Sequence, residues 1–311
     1  MRHWLLCALL VAAPLHAQDR AGATGAQVLQ FLPGSRAPAL SGAYTAIAGD
    51  ADALFYNPAG VANVKRAGTL AYERYVSDVA FGSIAAATRA GAFTVGAAIA
   101  FLDAGSIREV VPDPDFGGST GQETGNTVSA SESAVRLVAA LPIHDGRLRA
   151  GAALGFVATA IAEQRQSAPL LDLGGQYDMG AVTIGASLRN LGTGLSGDAD
   201  DELPTEARLG ASTQFSRGGG LSFTGTVELV SRLSEGTTTV AGGVEAGFSA
   251  TAARPFAVLG RLGLDAEDNQ LGSLRAGATV GFRDFAFDYT YQSLEFFGSV
   301  HRFGVRITRL R

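Results

Sequence analysis

Cysteine is almost missing from this 311-residue chain: Cys7 is the only one. It lies in an apolar run near the start, so the rest of the chain has no disulfide framework, cysteine metal site or thiol nucleophile. Lysine is equally scarce. Lys65 stands alone among 24 basic residues, the others being arginines, and a formal net charge of −5 argues against nucleic acid as a partner. Of four histidines, His3 and His16 fall in the first seventeen residues, leaving His144 and His301. No Gly-x-Ser-x-Gly elbow, zinc-ligand spacing or phosphate loop accompanies them. "DADDE" (198–202) lacks the ligand and glycine spacing of a calcium loop. The sequence predicts no enzyme, and no metal or cofactor site.

Long apolar runs are missing too, although the mean hydropathy is positive, +0.18. "GAFTVGAAIAFL" (91–102) and "AGAALGFVATAIA" (150–162) are well short of the ~20 residues of a spanning helix. What is present at the start is a secretory signal pattern. Arg2 precedes the apolar run Leu5 to Ala13, followed by a Pro/His break and a cleavage point near Ala17. The expected organisation is a signal peptide at 1–17, an N-terminal segment at 18–67 and a β domain at 68–311.

Period-two alternation sets the fold class. In "FRDFAFDYTYQS" (282–293), Phe285, Phe287, Tyr289 and Tyr291 share one parity; Ala286, Asp288, Thr290 and Gln292 share the other. Phe93 to Phe101, Leu148 to Phe156, Leu274 to Phe282 and Phe303 to Ile307 repeat the pattern, each opposed by small or charged residues. An apolar face suits either a soluble sandwich, where it packs inward, or a membrane barrel, where it faces lipid. Three features favour the barrel. About fourteen strands fit between Gly68 and Leu310, at ~17 residues per strand and connection. Short turns such as "RAG" (89–91) and "HDG" (144–146) alternate with longer acidic stretches at 111–126, 192–204 and 265–270. Phe93 and Phe101 lie eight residues apart on one face, ~26 Å of strand, as aromatic girdles require. The expected fold is an all-β, transmembrane antiparallel outer-membrane barrel of about 14 strands (12–16) with a short N-terminal plug, placed in the outer membrane of a Gram-negative cell.

Arg149, Arg275, Arg302 and Arg306 carry the small or polar parity and so point into such a barrel, where an unpaired charge is costly. Asp288 and Glu228 are acidic candidates of the same parity. An internal salt-bridge network is the favoured reading, an anion-attracting pore lining the other. The stretch "GDADALFYNPAGVANV" (49–64) precedes the first strand. Pro58 holds Asn57 out of the helical region and suits the first position of a short helix, with Asn57 as its N-cap. Asp50 is the expected cap of the preceding "ADALFY" turn, and the alanines and Gly42 make the segment thin enough to lie against a barrel wall.

"SRAPALSGAYTAIAGDADALFYNPAGVANV" (35–64) resembles the N-terminal signature of the PorV/PorQ family of outer-membrane proteins, a branch of the barrels typified by the long-chain fatty-acid transporter. The matching residues are Arg36, Gly42, Asp50, Asp52 and, above all, Asn57, Pro58, Ala59 and Gly60. The family's usual Gly-Met-Gly is replaced here by Ala39-Leu40-Ser41-Gly42, and the chain ends "ITRLR" in place of an aromatic residue. The resemblance implies a component or cargo shuttle of a type IX-like protein secretion system, with a secretion translocon or exported protein cargo as partner met through the acidic stretches. The fatty-acid transporter branch implies an alternative: passive transport of a hydrophobic small molecule, with Tyr44, Ile47, Leu54, Phe55 and Tyr56 as plug or ligand contacts. Outer-membrane lipid is a partner in either case.

Overall fold

The computed structural model describes residues 24–113, 120–195, 201–217, 219–250, 256–267, 270–271, 274–294 and 298–309. Fourteen long strands follow in order: β1 (Arg66–Arg74), β2 (Ala80–Ala90), β3 (Phe93–Pro112), β4 (Gly121–Ile143), β5 (Leu148–Ile161), β6 (Gln164–Asp178) and β7 (Val182–Leu191), then β8 (Glu206–Arg217), β9 (Leu221–Arg232), β10 (Thr237–Ser249), β11 (Phe256–Glu267), β12 (Arg275–Phe282), β13 (Phe285–Leu294) and β14 (Gly298–Arg309). A two-residue piece, Gln270–Leu271, folds back on β11. Each strand pairs antiparallel with its chain neighbours, and β14 returns to β1 with Glu73 opposite Arg302. The sheet is a closed antiparallel barrel of 14 strands, so no strand edge is left over as in an open sheet.

Burial decides which way the faces point. Leu137, Leu154, Val244, Val280, Phe287 and Phe303 are each more than half exposed, whereas Glu73, Arg136, Asp172, Glu228, Glu245 and Asp288 are buried. A soluble sandwich reverses that arrangement; a barrel whose outer wall meets lipid demands it. Aromatic residues stand at the strand ends on one side of the barrel: Phe93 after the β2–β3 turn, Phe215 stacked on Phe223 at 5.1 Å, Phe248 near Phe256 at 5.9 Å, and Phe282 beside Phe285. They form the apolar belt expected at one membrane interface.

The stretch 111–126 is less of a loop than its glycines and acids suggest. β3 runs to Pro112 and β4 starts at Gly121, so the connection shrinks to 113–120. The two strands extend past their neighbours as a ribbon, joined by Arg108 to Glu123 at 2.9 Å and by Glu109 accepting from Thr124 and Asn126. Residues 1–17, part of the 192–204 and 265–270 stretches, and the end of the chain lie outside the described residues.

Residues 24–65 run through the barrel, from the end bearing the longer connections to the end bearing the short turns. At the first end Thr24 bridges to Glu202, the Gly25 N–H donates to the Glu202 carbonyl and the Val28 N–H donates to Glu132. At the second, Thr94 on the first turn of β3 donates its hydroxyl to the carbonyls of Ala62 and Val64, and β1 begins two residues later. The segment is made of short pieces: three-residue or four-residue 3-10 turns at Gln27–Leu29, Ala37–Leu40 and Pro58–Val61, and one α-helical turn, α1 (Ala53–Tyr56). None is stable alone, so packing holds them. Tyr44, Tyr56, Phe55, Leu40 and Leu54 are fully buried; each contributes roughly 1.5–3 kcal/mol relative to exposure.

Candidate functional site: the lumen and the segment that fills it

Local sequence explains how the segment is shaped. Asn57 is extended, φ −153° and ψ 106°, ahead of Pro58, and its Oδ1 accepts the Ala59 N–H at 3.1 Å. The N-cap reading of Asn57 thus describes the observed turn. Its Nδ2 donates to the carbonyls of Thr45 (2.8 Å), Gly175 (3.1 Å) and Ala186 (3.3 Å), tying the turn to β6 and β7. Asp50 is not the cap of the preceding turn. α1 begins after Asp52 with no side-chain cap, and the Asp50 carboxylate instead accepts from Arg36 and from the Tyr44 hydroxyl at 2.6 Å. Tertiary partners outcompete the local one. Asp52 gathers the backbone N–H groups of Ser35, Arg36 and Ala37 on one oxygen at 2.7–3.1 Å.

Glycines on the inner wall make room for this segment. A Cβ on Gly151 would lie 2.5 Å from the Pro58 carbonyl carbon, and one on Gly263 would lie 2.6 Å from the Ser41 nitrogen. On Gly174 it would collide with the Asn57 side chain, on Gly185 with the Thr45 carbonyl, on Gly304 with Ser35. Ala59 and Gly60 are buried in the same contact, where a Cβ on Gly60 would meet Ala53 at 2.7 Å. Gly42 has φ +73° and faces Leu32, so it serves both turn and packing.

The lumen has two chemically distinct halves. Strands β7 to β14, with β1, carry the charges. Arg36 forks onto Glu245 at 2.7 and 2.9 Å and reaches Asp50 at 3.1 Å. Arg261 joins Glu245 to Asp288, and Arg306 grips Asp288 at 2.6 and 3.0 Å. Ser35 donates to Asp288 and Thr279 is hydrogen-bonded to it as well. Arg208 links Glu206 (2.9 Å) to Glu228 (2.8 Å), while Glu228 accepts both the N–H and hydroxyl of Thr45. Arg302 forks onto Glu73 and donates to the carbonyls of Leu32 and Gly34. Strands β2 to β6 present mainly Ala98, Ala100, Leu102, Ala134, Val138, Val157 and Leu170, packed with Val28, Leu29, Leu54 and Phe55 in one apolar cluster. The charged exceptions there are Arg136, paired with Asp172 at 2.7 Å, Glu132, which accepts the Val28 N–H, and the buried Arg149.

All six lumenal charges named from parity face inward, and they are not one site. Arg306 and Asp288 are partners; Glu228 belongs to Arg208, Arg302 to Glu73 and Arg275 to Asp265. Arg149 has no ion-pair partner among the described residues, and its Nε is unpartnered. Tyr44, Ile47, Leu54, Phe55 and Tyr56 are all buried in packing. The Tyr44 and Tyr56 rings are 5.6 Å apart, and Tyr56 donates to the Pro33 carbonyl. Parity also marks Glu73, Arg208, Arg261 and Glu245 as inward, and each has a buried ion-pair partner. The inward glycines were legible as small residues but not as a seat.

No protein-family model and no curated protein sequence matches the chain. Solved structures do. The toluene transporter TbuX of Ralstonia pickettii matches with a TM-score of 0.55 at 16% identity, over 88% of this chain and 96% of that one. A FadL homologue of Pseudomonas aeruginosa matches at 0.57 and 11% identity, over 89% and 98%. CymD, a monoaromatic hydrocarbon channel, matches at 0.57 and 11% identity, over 89% and 97%. The PorV/PorQ resemblance rests on residues 35–64 alone. At these identities the likeness is one of fold: the chain has the architecture of the FadL-type outer-membrane barrels.

Proposed function

We propose that the protein is a passive outer-membrane channel for small apolar molecules, closed at rest by residues 24–64, with residues 1–17 acting as its export signal. The observation that carries this reading is the apolar half of the lumen. Water-filled barrels line their interiors with polar groups. Here β2 to β6 turn Ala98, Ala100, Leu102, Val138, Val157 and Leu170 inward, and Val28, Leu29, Leu54 and Phe55 cover them. If the segment shifts, that wall offers an apolar solute a path that disfavours water and ions. Fold relatives described as toluene and monoaromatic hydrocarbon channels agree with it.

The export reading needs a surface that a translocon or cargo can reach. Arg36, Asp50, Asp52 and Asn57 to Gly60, which carry the resemblance to PorV/PorQ, are buried inside the barrel. Their hydrogen bonds hold the segment, which is a use internal to a channel. The test is entry of a hydrophobic fluorescent probe into Gram-negative cells with and without the protein. We expect faster entry with the wild type and slower entry with Leu170→Glu, which puts a charge on the apolar wall. Equal entry in all three strains, with the barrels folded in the membrane, overturns the channel reading.

A further inference from the structure

Charge is divided unevenly between the two ends of the barrel. At the end bearing the short turns, Lys65, Arg66, Arg89, Arg147, Arg217 and Arg283 are exposed, against exposed Asp145 and Asp284 and half-buried Asp178. At the end bearing the longer connections the balance reverses: Asp103, Glu109, Asp113, Glu123, Glu163, Asp201 and Glu202 outnumber Arg74, Arg108, Arg165 and Arg232. A surface charged only for solubility mixes both signs and needs no such division.

Four of the cations stand where a lipid headgroup lies. Arg217 shares the outward parity of Leu209 and Phe215 on β8, and Arg66 that of Leu70 and Tyr72 on β1. Arg283 sits 5.3 Å over the exposed ring of Phe282 at the end of β12, and Arg147 precedes the exposed Leu148 of β5. Arg217 is two residues beyond Phe215 of the aromatic belt. That is ~7 Å of strand, or ~5 Å along the membrane normal at a tilt of ~40°, within the roughly 5–7 Å of the headgroup layer. None of the four is paired with a carboxylate among the described residues, so the protein does not neutralise them. Short turns of outer-membrane barrels face the periplasm, so these groups meet the periplasmic leaflet. A guanidinium forks onto phosphate oxygens, and a cluster of about four to eight basic residues beside a membrane selects anionic lipid.

We propose that the short-turn rim of the barrel docks anionic phospholipid of the periplasmic leaflet. Headgroup phosphates sit on Arg66, Arg147, Arg217 and Arg283, and the acyl chains run along the outer wall past the aromatic belt. The proposal does not depend on what passes through the lumen. Electron spin resonance of the full chain folded into phosphatidylcholine vesicles tests it, with trace spin-labelled phosphatidylglycerol compared with spin-labelled phosphatidylcholine. The motionally restricted share of each label gives its relative affinity for the barrel wall. Phosphatidylglycerol should be favoured about threefold or more in about 10 mM salt. The preference should fall toward unity in about 1 M salt, where the Debye length is about 3 Å. Combining Arg66→Gln, Arg147→Gln, Arg217→Gln and Arg283→Gln should bring it close to unity. Combining Arg108→Gln and Arg165→Gln, at the other end, should leave it in place. Heat-dependent mobility on a gel verifies that each variant is folded. Equal association of the two lipids with the wild type overturns the proposal and makes an acidic periplasmic protein the partner to seek. A preference that survives the four substitutions in a folded barrel, or that vanishes equally with the two distant arginines, overturns it as well.

Discussion

Asn57→Ala removes one side chain that fastens the lumenal segment at four points. The Ala59 N–H loses its acceptor and the turn loses its N-cap, while the carbonyls of Thr45, Gly175 and Ala186 lose a donor. Thr45 keeps a second donor, Gln176 at 2.8 Å, so its loss is partial. A missing N-cap costs about 1 kcal/mol. The hydrogen bonds lost by Nδ2 to three carbonyls, each worth about 0.5–1 kcal/mol net, add about 1–3 kcal/mol. Together these weaken the seated state by about 2–4 kcal/mol, or about 30- to 1,000-fold in the ratio of seated to released segment. The barrel ladder does not depend on Asn57, so the change is local. Hydrogen exchange followed by mass spectrometry separates the two. The amides of Asn57, Gly60 and Ala62, which bond to Ala53, Asn57 and Ala59, should exchange at least tenfold faster in the variant, with the β1 to β14 amides unchanged. Unchanged exchange across 53–64 would refute the view that Asn57 holds the segment.

Three other outcomes follow from the same geometry. Gly174→Val should displace the Asn57–Pro58 turn and raise exchange over 53–64, while Gly91→Ala, at a turn with open space around it, should leave that region alone. Glu73→Gln leaves the buried Arg302 without its carboxylate; breaking such a pair costs about 3–5 kcal/mol, and the variant should unfold at a clearly lower denaturant concentration. Replacement of both partners by Leu and Met should recover much of that loss. Leu137→Arg, on the outer face midway along the part of β4 that pairs with β5, should destabilise the barrel in lipid by about 2–4 kcal/mol, as read by urea-dependent folding into vesicles.

Much of the barrel was written in the alternation. Phe93 to Phe101 and Phe285 to Tyr291 declare a lipid face because lipid accepts only apolar groups, and turns such as "HDG" mark the strand ends. The first part of β4, "GQETGNTV", escaped that reading because the ribbon stands beyond its neighbours and needs no apolar face. Inward parity of Arg302 and Arg306 was legible; their partners were not, because pairing depends on register between distant segments. Arg302 meets Glu73 from 229 positions away. Asn57 could be placed as a cap because Asn-Pro is a local signal. Asp50 could not, since its partners Arg36 and Tyr44 reach it only when the segment folds inside the barrel. The glycine seat lay in plain view on the inward parity, but a glycine there reads equally as a gap until something fills it.

The central claim is that residues 24–64 close the lumen. Conductance across a planar bilayer tests it most directly, comparing the full chain with a variant that lacks residues 24–64 and is shown by heat-dependent mobility to be a folded barrel. The account predicts an essentially silent full-length protein and a steadily conducting barrel once the segment is gone. A full-length protein that already conducts, or a folded barrel that stays silent without its segment, would contradict it.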